Sequence, residues 1–280
     1  MSYKTMQELC SVEKNMPLAK YYYDYPMKDL PEDVKKQILG QPMSPKDAIP
    51  AEKFLDWLLP IGEYTEHENA YCMMPDGSGY ITTYMPIPDS VDVKKMFWYM
   101  NWLNIHSKSQ PAGTGNIRYK IWNPADHWDH YFVNWEDASE GVHTTESLDL
   151  GEGDRQYDTI RHSFNLREYG LTQEKIDSIN NNEFGYKLKE TSDFESFDEA
   201  GFHLTLGQIR PRKVGGWERR SVEWIGFRPK AGKIVREPRT KCDEAYLRKV
   251  AYHTLIEWYH MMDFINDLYE EYHDLPVDAD

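Results

Sequence analysis

Cysteine is scarce in this 280-residue chain, and the three that occur, Cys10, Cys72 and Cys242, lie far apart. An odd number of cysteines without a CxxC pair indicates neither a disulfide framework nor a thiolate zinc site. No segment approaches the roughly 18 consecutive apolar residues that predict a transmembrane helix. The first residues, MSYKTMQELCSVEKN, lack the apolar core of a signal peptide. We therefore expect a cytoplasmic protein with no membrane partner.

Positive charge is also in the minority. The chain has 32 Lys and Arg residues and 47 Asp and Glu residues, which gives a formal net charge of -15. Such a surface repels phosphate backbones, so no nucleic-acid partner is expected. The sequence contains no GxSxG, P-loop or GxGxxG motif in a suitable context, and serine hydrolase and nucleotide-binding functions therefore have no support. Aromatic residues, at 14%, are plentiful and suit either an aromatic ligand pocket or an aromatic-rich core.

The stretch that organises the chain is the C-terminal run 243–273, DEAYLRKVAYHTLIEWYHMMDFINDLYEEYH. It contains neither Gly nor Pro, and Pro276 follows it, so it predicts one helix of roughly 45 Å. One stripe at three- and four-residue spacing should face the core. Its members are Tyr246, Val250, His253, Glu257, Met261, Phe264 and Leu268.

Two members of this stripe, His253 and Glu257, have side chains that can bind a metal ion. His253 and Glu257 are four residues apart and therefore point the same way on a helix. A buried carboxylate needs a partner, and a divalent metal held by both side chains would supply one. A solvated hydrogen-bonded pair on a polar face is the alternative, and spacing alone does not exclude it.

The order of the predicted elements is a mainly helical N-terminal lobe, an antiparallel sheet and the long helix. We predict an α+β fold, with the lobe over residues 1–80 and a catalytic domain over residues 81–280. The sheet should curve around the long helix, so that His253 and Glu257 face its mouth, where ligand pockets form. The predicted strands cover residues 71–85, 117–122, 130–135, 142–150, 159–164, 202–209 and 221–227.

Further metal ligands should come from strands or loops that face the helix. His127 precedes the predicted strand 130–135, and a hairpin centred near residue 139 would place it opposite about residue 151. Glu152 would then lie near His127, whereas Glu146 would lie about five residues away, roughly 16 Å at the rise of a strand. We therefore prefer Glu152 and leave Glu146 open. Two histidines and two carboxylates suit zinc.

Several strings in the sequence occur together in one known family. They are Met85-Pro86-Ile87-Pro88, an aromatic helix ending at Trp102 and His106, Arg118-Tyr119-Lys120-Ile121-Trp122-Asn123-Pro124 with His127, His203 followed by Arg210, Arg220-Ser221-Val222-Glu223-Trp224-Ile225-Gly226, and the His253-x-x-x-Glu257 helix. Over roughly residues 80–270 the chain resembles the phloretin hydrolase and diacetylphloroglucinol hydrolase family. The RYKIWxPxxH string carries most of the specificity.

The resemblance implies a helix-grip, Bet v 1-like fold and a zinc ion held by two His and two Glu. On this sequence the ligands become His127, His253, Glu257 and one acidic residue, for which we choose Glu152. Members of the family hydrolyse the carbon–carbon bond between a phloroglucinol ring and an acyl carbonyl, so the expected partner is a small-molecule polyphenol ketone such as phloretin.

The resemblance also implies helper groups for proton transfer and orientation. They fall on Tyr119 and His203, and His130 joins the candidate catalytic residues because it stands where the acetylphloroglucinol enzymes are expected to carry an amide. The main alternative is a non-catalytic helix-grip protein that carries an aromatic or hydrophobic ligand. The sequence leaves open the acyl group, the ring substituents and whether the protein forms a homo-oligomer.

Overall fold

Short helices and antiparallel strands precede one long C-terminal helix, which gives the predicted α+β class. The structure is a computed structural model and describes residues 8–148, 157–179, 191–193, 201–240 and 242–280. The helices are α1 Ala19–Tyr23, α2 Glu32–Leu39, α3 Val93–Trp102, α4 Ile117–Trp122, α5 Gln173–Ser178 and α6 Glu244–Tyr272. The strands are β1 Ala70–Met73, β2 Gly79–Ile87, β3 His127–Phe132, β4 Val142–Glu146, β5 Tyr157–His162, β6 Thr191–Asp193, β7 His203–Pro211, β8 Trp217–Ile225, β9 Phe227–Lys230 and β10 Lys233–Arg236.

The chain forms two compact units, each built from segments distant in sequence. The first unit contains Met1–Pro31, Asp89–Ile160 and His253–Asp280, and the second contains Glu32–Pro88 and Arg161–Tyr252. The division into a helical lobe over residues 1–80 and a catalytic domain over residues 81–280 stays a prediction.

The second unit is built on an antiparallel sheet in the order β1-β2-β8-β7-β6. Strands β2 and β8 pair along their whole lengths, from Gly79 opposite Ile225 to Ile87 opposite Trp217. A core of aliphatic and aromatic side chains includes residues of these strands, and one of its members, Trp224, also donates from its indole nitrogen to the carbonyl of Ile49 over 2.7 Å. Burying that donor against a carbonyl avoids the cost of an unpaired polar group in the core.

The first unit holds the aromatic helix α3, helix α4, the β3–β4 hairpin and the C-terminal part of the chain. The ring of Tyr99 in α3 lies 5.5 Å from that of Phe264 in an edge-on contact. Its hydroxyl donates to the carbonyl of Arg118 in α4 over 2.6 Å. Tyr99 of the aromatic helix α3 therefore helps to fix the position of α4, which carries a residue of the candidate site.

The long helix confirms the prediction for residues 243–273 within one residue at each end. It begins after Asp243, whose carboxylate accepts a hydrogen bond from the backbone N–H of Tyr246 over 2.7 Å, as expected of a helix cap. The predicted stripe faces inward, because Tyr246 is half-buried and the other six members are buried. Among the described residues no helix is both long and apolar enough to cross a membrane.

The prediction of a strand over residues 117–122 is wrong, because IRYKIW forms the helix α4. Asn116 caps this helix by accepting a hydrogen bond from the N–H of Arg118 over 3.0 Å, the role that asparagine favours. All six side chains of α4 are buried, including those of Arg118 and Lys120. Arg118 donates to the carbonyls of Val277 and Ala279 and stacks on Trp102.

Lys120 of α4 forms a buried ion pair with Glu13, over 2.8 Å, and both side chains are almost inaccessible to water. Glu13 also accepts from the amide of Gln110 over 2.8 Å and from the backbone N–H of Cys10 over 2.9 Å. This carboxylate therefore anchors the residues near position 13 to α4.

Replacing Glu13 with alanine should lower the free energy of unfolding by about 3–5 kcal/mol, because the ammonium of Lys120 would stay buried without its counter-charge. Glu8, which pairs with Lys14 on the exposed surface, provides the control, and Glu8→Ala should leave the denaturation midpoint close to that of the wild type. Urea denaturation of the three proteins measures both effects. Equal midpoints for Glu13→Ala and Glu8→Ala would contradict the prediction.

Candidate metal centre

His127 begins strand β3 and is completely buried. Its ring stacks on that of Tyr119, with centroids 3.7 Å apart and planes 5° from parallel. Its Nδ1 lies 3.1 Å from the carbonyl oxygen of Tyr119, to which an Nδ1–H donates. The opposite nitrogen, Nε2, then carries the lone pair and is available as a ligand.

His253 lies on α6 in the same unit and is oriented in the same way. Its Nδ1 is 2.9 Å from Oδ2 of Asp126, and its Nε2 is 3.4 Å from Nε2 of His127. Glu257, one turn further along α6, brings Oε2 to 3.1 Å from His127 Nε2 and to 3.3 Å from His253 Nε2. The structure thus brings His253 and Glu257 together with His127.

Glu146 supplies a second carboxylate at this point. It ends strand β4 and is paired directly with His127 across the hairpin. Its Oε2 lies 3.8 Å from His127 Nε2. The ligand atoms of His127, Glu146 and His253 all lie within 4.8 Å of one another, and the three residues are buried.

The predicted hairpin register is therefore wrong. It placed His127 opposite about residue 151, but Phe132 pairs with Val142, and the ladder shifts between His127 and Asp129. This bulge and the earlier turn bring Glu146 to His127. Glu152, preferred from the sequence, lies outside the described residues.

The electrostatics of the centre follow from its burial and its charges. Burial is the largest influence on the pKa of His127 and lowers it, against the raising effect of Glu257. Burial also acts to lower the pKa of His253, but hydrogen bonds to Asp126 and Glu257 raise that pKa well above its ordinary value. Burial alone would raise the pKa of Glu257, but its close contacts with Nε2 of His127 and of His253, at 3.1 and 3.3 Å, hold that pKa far below its usual range. Without an ion, a proton on His253 thus neutralises part of the acidic charge, and a dication could take its place.

The donor set fits a metal ion. Two imidazole nitrogens and two carboxylates converge from β3, β4 and α6, and all four residues are buried. Buried carboxylates are stable only when paired or coordinated, and this combination of nitrogen and oxygen donors suits zinc. The arrangement could hold such an ion next to the aromatic rings of Tyr119 and Trp122.

The structure also places the three predicted helper residues. Tyr119 is buried in α4, and its hydroxyl donates to Oε2 of Glu146. The ring of His130 lies against it, with centroids 4.7 Å apart. His203 belongs to the second unit, where its Nδ1 is 3.2 Å from Oε2 of Glu223 and its Nε2 is 2.9 Å from the hydroxyl of Tyr246. The structure thus brings Tyr119 and His130 together.

Comparison with known proteins assigns the family. A model of the family described as DAPG hydrolase PhiG domain matches residues 50–270, which is most of the chain. The chain belongs to the DAPG hydrolase PhiG domain family. It is also similar to phloretin hydrolase of Eubacterium ramulus, with 30% identity over 131 residues. That alignment covers 45% of this chain and 42% of the relative, so the chain spans less than half of that curated protein.

Family membership confirms the resemblance inferred from the RYKIWxPxxH string and the HxxxE helix. Two residues that organise this site, Asp126 and Asn116, were not predicted from the sequence. Asp126 directly precedes the candidate ligand His127, but only the fold shows that its carboxylate reaches His253. Asn116 donates to the carbonyls of Leu103 and His130 over 2.9 and 2.8 Å and so joins α4 to β3.

The second histidine of α6, His260, is buried three residues beyond Glu257. Burial lowers the pKa of His260 from 6.5 to about 4. The unfolded chain therefore takes up this proton near pH 6.5, whereas the folded chain resists it until about pH 4. Stability should fall as the pH drops through this window, by roughly 3 kcal/mol at most.

Replacing His260 with leucine should remove this part of the acid sensitivity. The free energy of unfolding of His260→Leu, minus that of the wild type, should rise as the pH falls from 6.5 to 4. Denaturation of both proteins at several pH values, with a chelator present, measures the difference, since all other titrating groups are shared. Parallel pH curves would show that His260 is protonated equally in both states.

Proposed function

We propose that this chain is a zinc-dependent hydrolase that cleaves the carbon–carbon bond between a phloroglucinol-type ring and its acyl carbonyl. One molecule of water is consumed, and the products are the phloroglucinol and a carboxylic acid. The observation that carries the proposal is the convergence of His127, Glu146, His253 and Glu257 in one buried centre of a chain that belongs to the PhiG domain family.

The proposal extends to the fold and the substrate class. The α+β content, the antiparallel pairing and the long helix α6 support the helix-grip, Bet v 1-like arrangement that the resemblance implies. The similarity to phloretin hydrolase supports a polyphenol ketone as the substrate. When bound, zinc would polarise an acyl carbonyl and lower the pKa of water towards 7.

The residues of the chain have separate roles in this proposal. His127 and His253 present Nε2 because their Nδ1 atoms are engaged by the carbonyl of Tyr119 and the carboxylate of Asp126. The hydroxyl of Tyr119 holds Glu146, so this tyrosine positions a ligand in addition to the helper role that the resemblance implies.

Proton transfer is assigned to histidine. The ring carbon becomes a good leaving group only when it is protonated, and a phenol-rich ring accepts that proton by forming its keto tautomer. Histidine is the most frequent side chain in such a step. The resemblance assigns it to His203, whose hydrogen bonds to Glu223 and Tyr246 fix the orientation of its ring. His130 lies beside Tyr119 and is assigned to orienting the substrate.

The direct test is metal analysis of protein purified without chelator, together with identification of the products from phloretin. We expect about one zinc per chain and the release of phloroglucinol and a carboxylic acid without any added redox cofactor. Metal-free protein, or turnover that yields other products, would overturn the proposal.

The choice of carboxylate has its own test. Glu146→Ala should remove most of the metal, because Glu146 is paired with His127 and lies 3.8 Å from its Nε2. Glu152→Ala serves as the comparison and should retain the metal. The reverse pattern would assign the ligand to Glu152, as preferred from the sequence.

A further inference from the structure

Asp126 is a buried carboxylate that the four-residue donor set does not include. It is completely inaccessible to solvent and lies in the loop between α4 and β3. Its Oδ2 is 2.9 Å from Nδ1 of His253, while its Oδ1 accepts from the hydroxyl of Ser147 over 2.8 Å. Its carbonyl oxygen also accepts from the N–H of Ser147 over 2.7 Å.

These contacts connect three of the four proposed ligands. Asp126 is adjacent in sequence to His127, and Ser147 is adjacent to Glu146. The third connection is the direct hydrogen bond to His253. The start of β3, the end of β4 and the middle of α6 therefore meet at one carboxylate.

The side chain of Asp126 is itself held in place. The backbone N–H of Asp126 donates to two oxygens of Asn123. The side-chain oxygen lies at 3.3 Å and the backbone carbonyl oxygen at 3.2 Å. The side-chain amide of Asn123 also lies 3.4 Å from Nδ1 of His253. The loop is thus fixed on both sides of the Asp126–His253 contact.

We infer that Asp126 is a positioning residue of the metal centre: it fixes the ring of His253 with Nε2 facing Glu257 and holds the ends of the β3–β4 hairpin in register. The inference rests on the proposed metal site. A carboxylate that accepts the second N–H of a ligand histidine sets its tautomer, orients its ring and makes its free nitrogen more basic. Asp126 also accepts a hydrogen bond from Ser147, which follows Glu146 in the sequence, so the same side chain sets the position of Glu146.

The expected effect is on metal affinity. Asp126→Ala should weaken zinc binding by about 10–100-fold. Asp126→Asn keeps the shape and can still accept from Nδ1 of His253, but it lacks the negative charge, so its loss should be smaller. Ser147→Ala leaves the Asp126–His253 hydrogen bond in place and should weaken binding less than Asp126→Ala.

A matched control lies on β3, three residues after Asp126. Asp129 accepts a hydrogen bond from His106 Nε2 over 2.7 Å, so it forms a second aspartate–histidine pair that includes no proposed ligand. Asp129→Asn should leave zinc affinity unchanged. It therefore separates loss of an aspartate–histidine pair in general from loss of the one at the centre.

The experiment measures zinc affinity by competition with a chromophoric chelator, using full-length protein first freed of metal. The visible spectrum of the cobalt-substituted protein supplies a second readout, because it reports ligand geometry and should change in the Asp126 variants but not in Asp129→Asn. Thermal unfolding in chelator shows whether each variant folds, and the isosteric Asp126→Asn provides a test if Asp126→Ala does not. Wild-type affinity and an unchanged cobalt spectrum in both Asp126 variants would overturn this inference alone. A wild-type protein that binds no zinc would overturn the proposed function and the inference with it.

Discussion

A His253→Ala variant is expected to be purified with little metal and to hydrolyse its substrate more than about 100-fold more slowly than the wild type. Loss of a ligand should exceed the 10–100-fold effects that follow from changing the groups behind a ligand. The substitution removes one of the two imidazole donors and leaves Asp126 and Glu257 as buried carboxylates without this partner. Elemental analysis and initial rates, measured on the same preparation, test both parts of the expectation.

Helix α6 provides a matched control for this variant. His260 is also a buried histidine of that helix, but it does not belong to the proposed donor set. His260→Leu should therefore keep its metal and its activity at neutral pH. A His253→Ala protein with full metal content, or equal metal loss in both variants, would show that His253 is not a specific ligand.

The sequence predicts the long helix and most of the sheet because these elements have strong local signals. Helix α6 has an apolar stripe, an aspartate cap and a following Pro276. Helix α4 shows where local signals mislead. Its alternation of basic residues with apolar and aromatic ones is typical of a strand, but Arg118 donates to backbone carbonyls and Lys120 pairs with Glu13, and these partners are remote in sequence. Contacts of this kind cannot be read from alternation.

The residues of the candidate site likewise differ in how well the sequence predicts them. The one-turn spacing of His253 and Glu257 is a property of any helix, so their shared face was predictable. The partner of His127 across the hairpin was not predictable, because the turn comes earlier than its composition indicates and a bulge shifts the register by one more residue. The role of Asp126 was even less predictable from the sequence. Its role depends on a hydrogen bond to a residue more than a hundred positions away.

The substrate series should separate two mechanisms of carbon–carbon cleavage. Ketones that carry a 2,4,6-trihydroxyphenyl ring should be cleaved, whereas analogues with these hydroxyls methylated should bind weakly and not turn over. Free hydroxyls raise the electron density at the ring carbon and permit the keto tautomer that accepts the proton. Methylation blocks that tautomer and removes the phenols that the resemblance assigns to Tyr119 and His203. Chromatography of the products after long incubation measures the difference.

The proton-transfer step has a separate signature in the protein. His203→Ala should lower the catalytic rate by about 10²–10⁴-fold, the usual contribution of a general acid or base, while the metal content stays at the wild-type level. Its polar partners Glu223 and Tyr246 would remain, so thermal unfolding should accompany the rate measurement to show that the variant is folded. The combination of a slow, metal-replete variant and inert methylated ketones would indicate that ring protonation precedes cleavage. Equal turnover of methylated or simple phenyl ketones would show instead that the metal centre cleaves the bond without a prior proton, and the assignment of His203 would then be wrong.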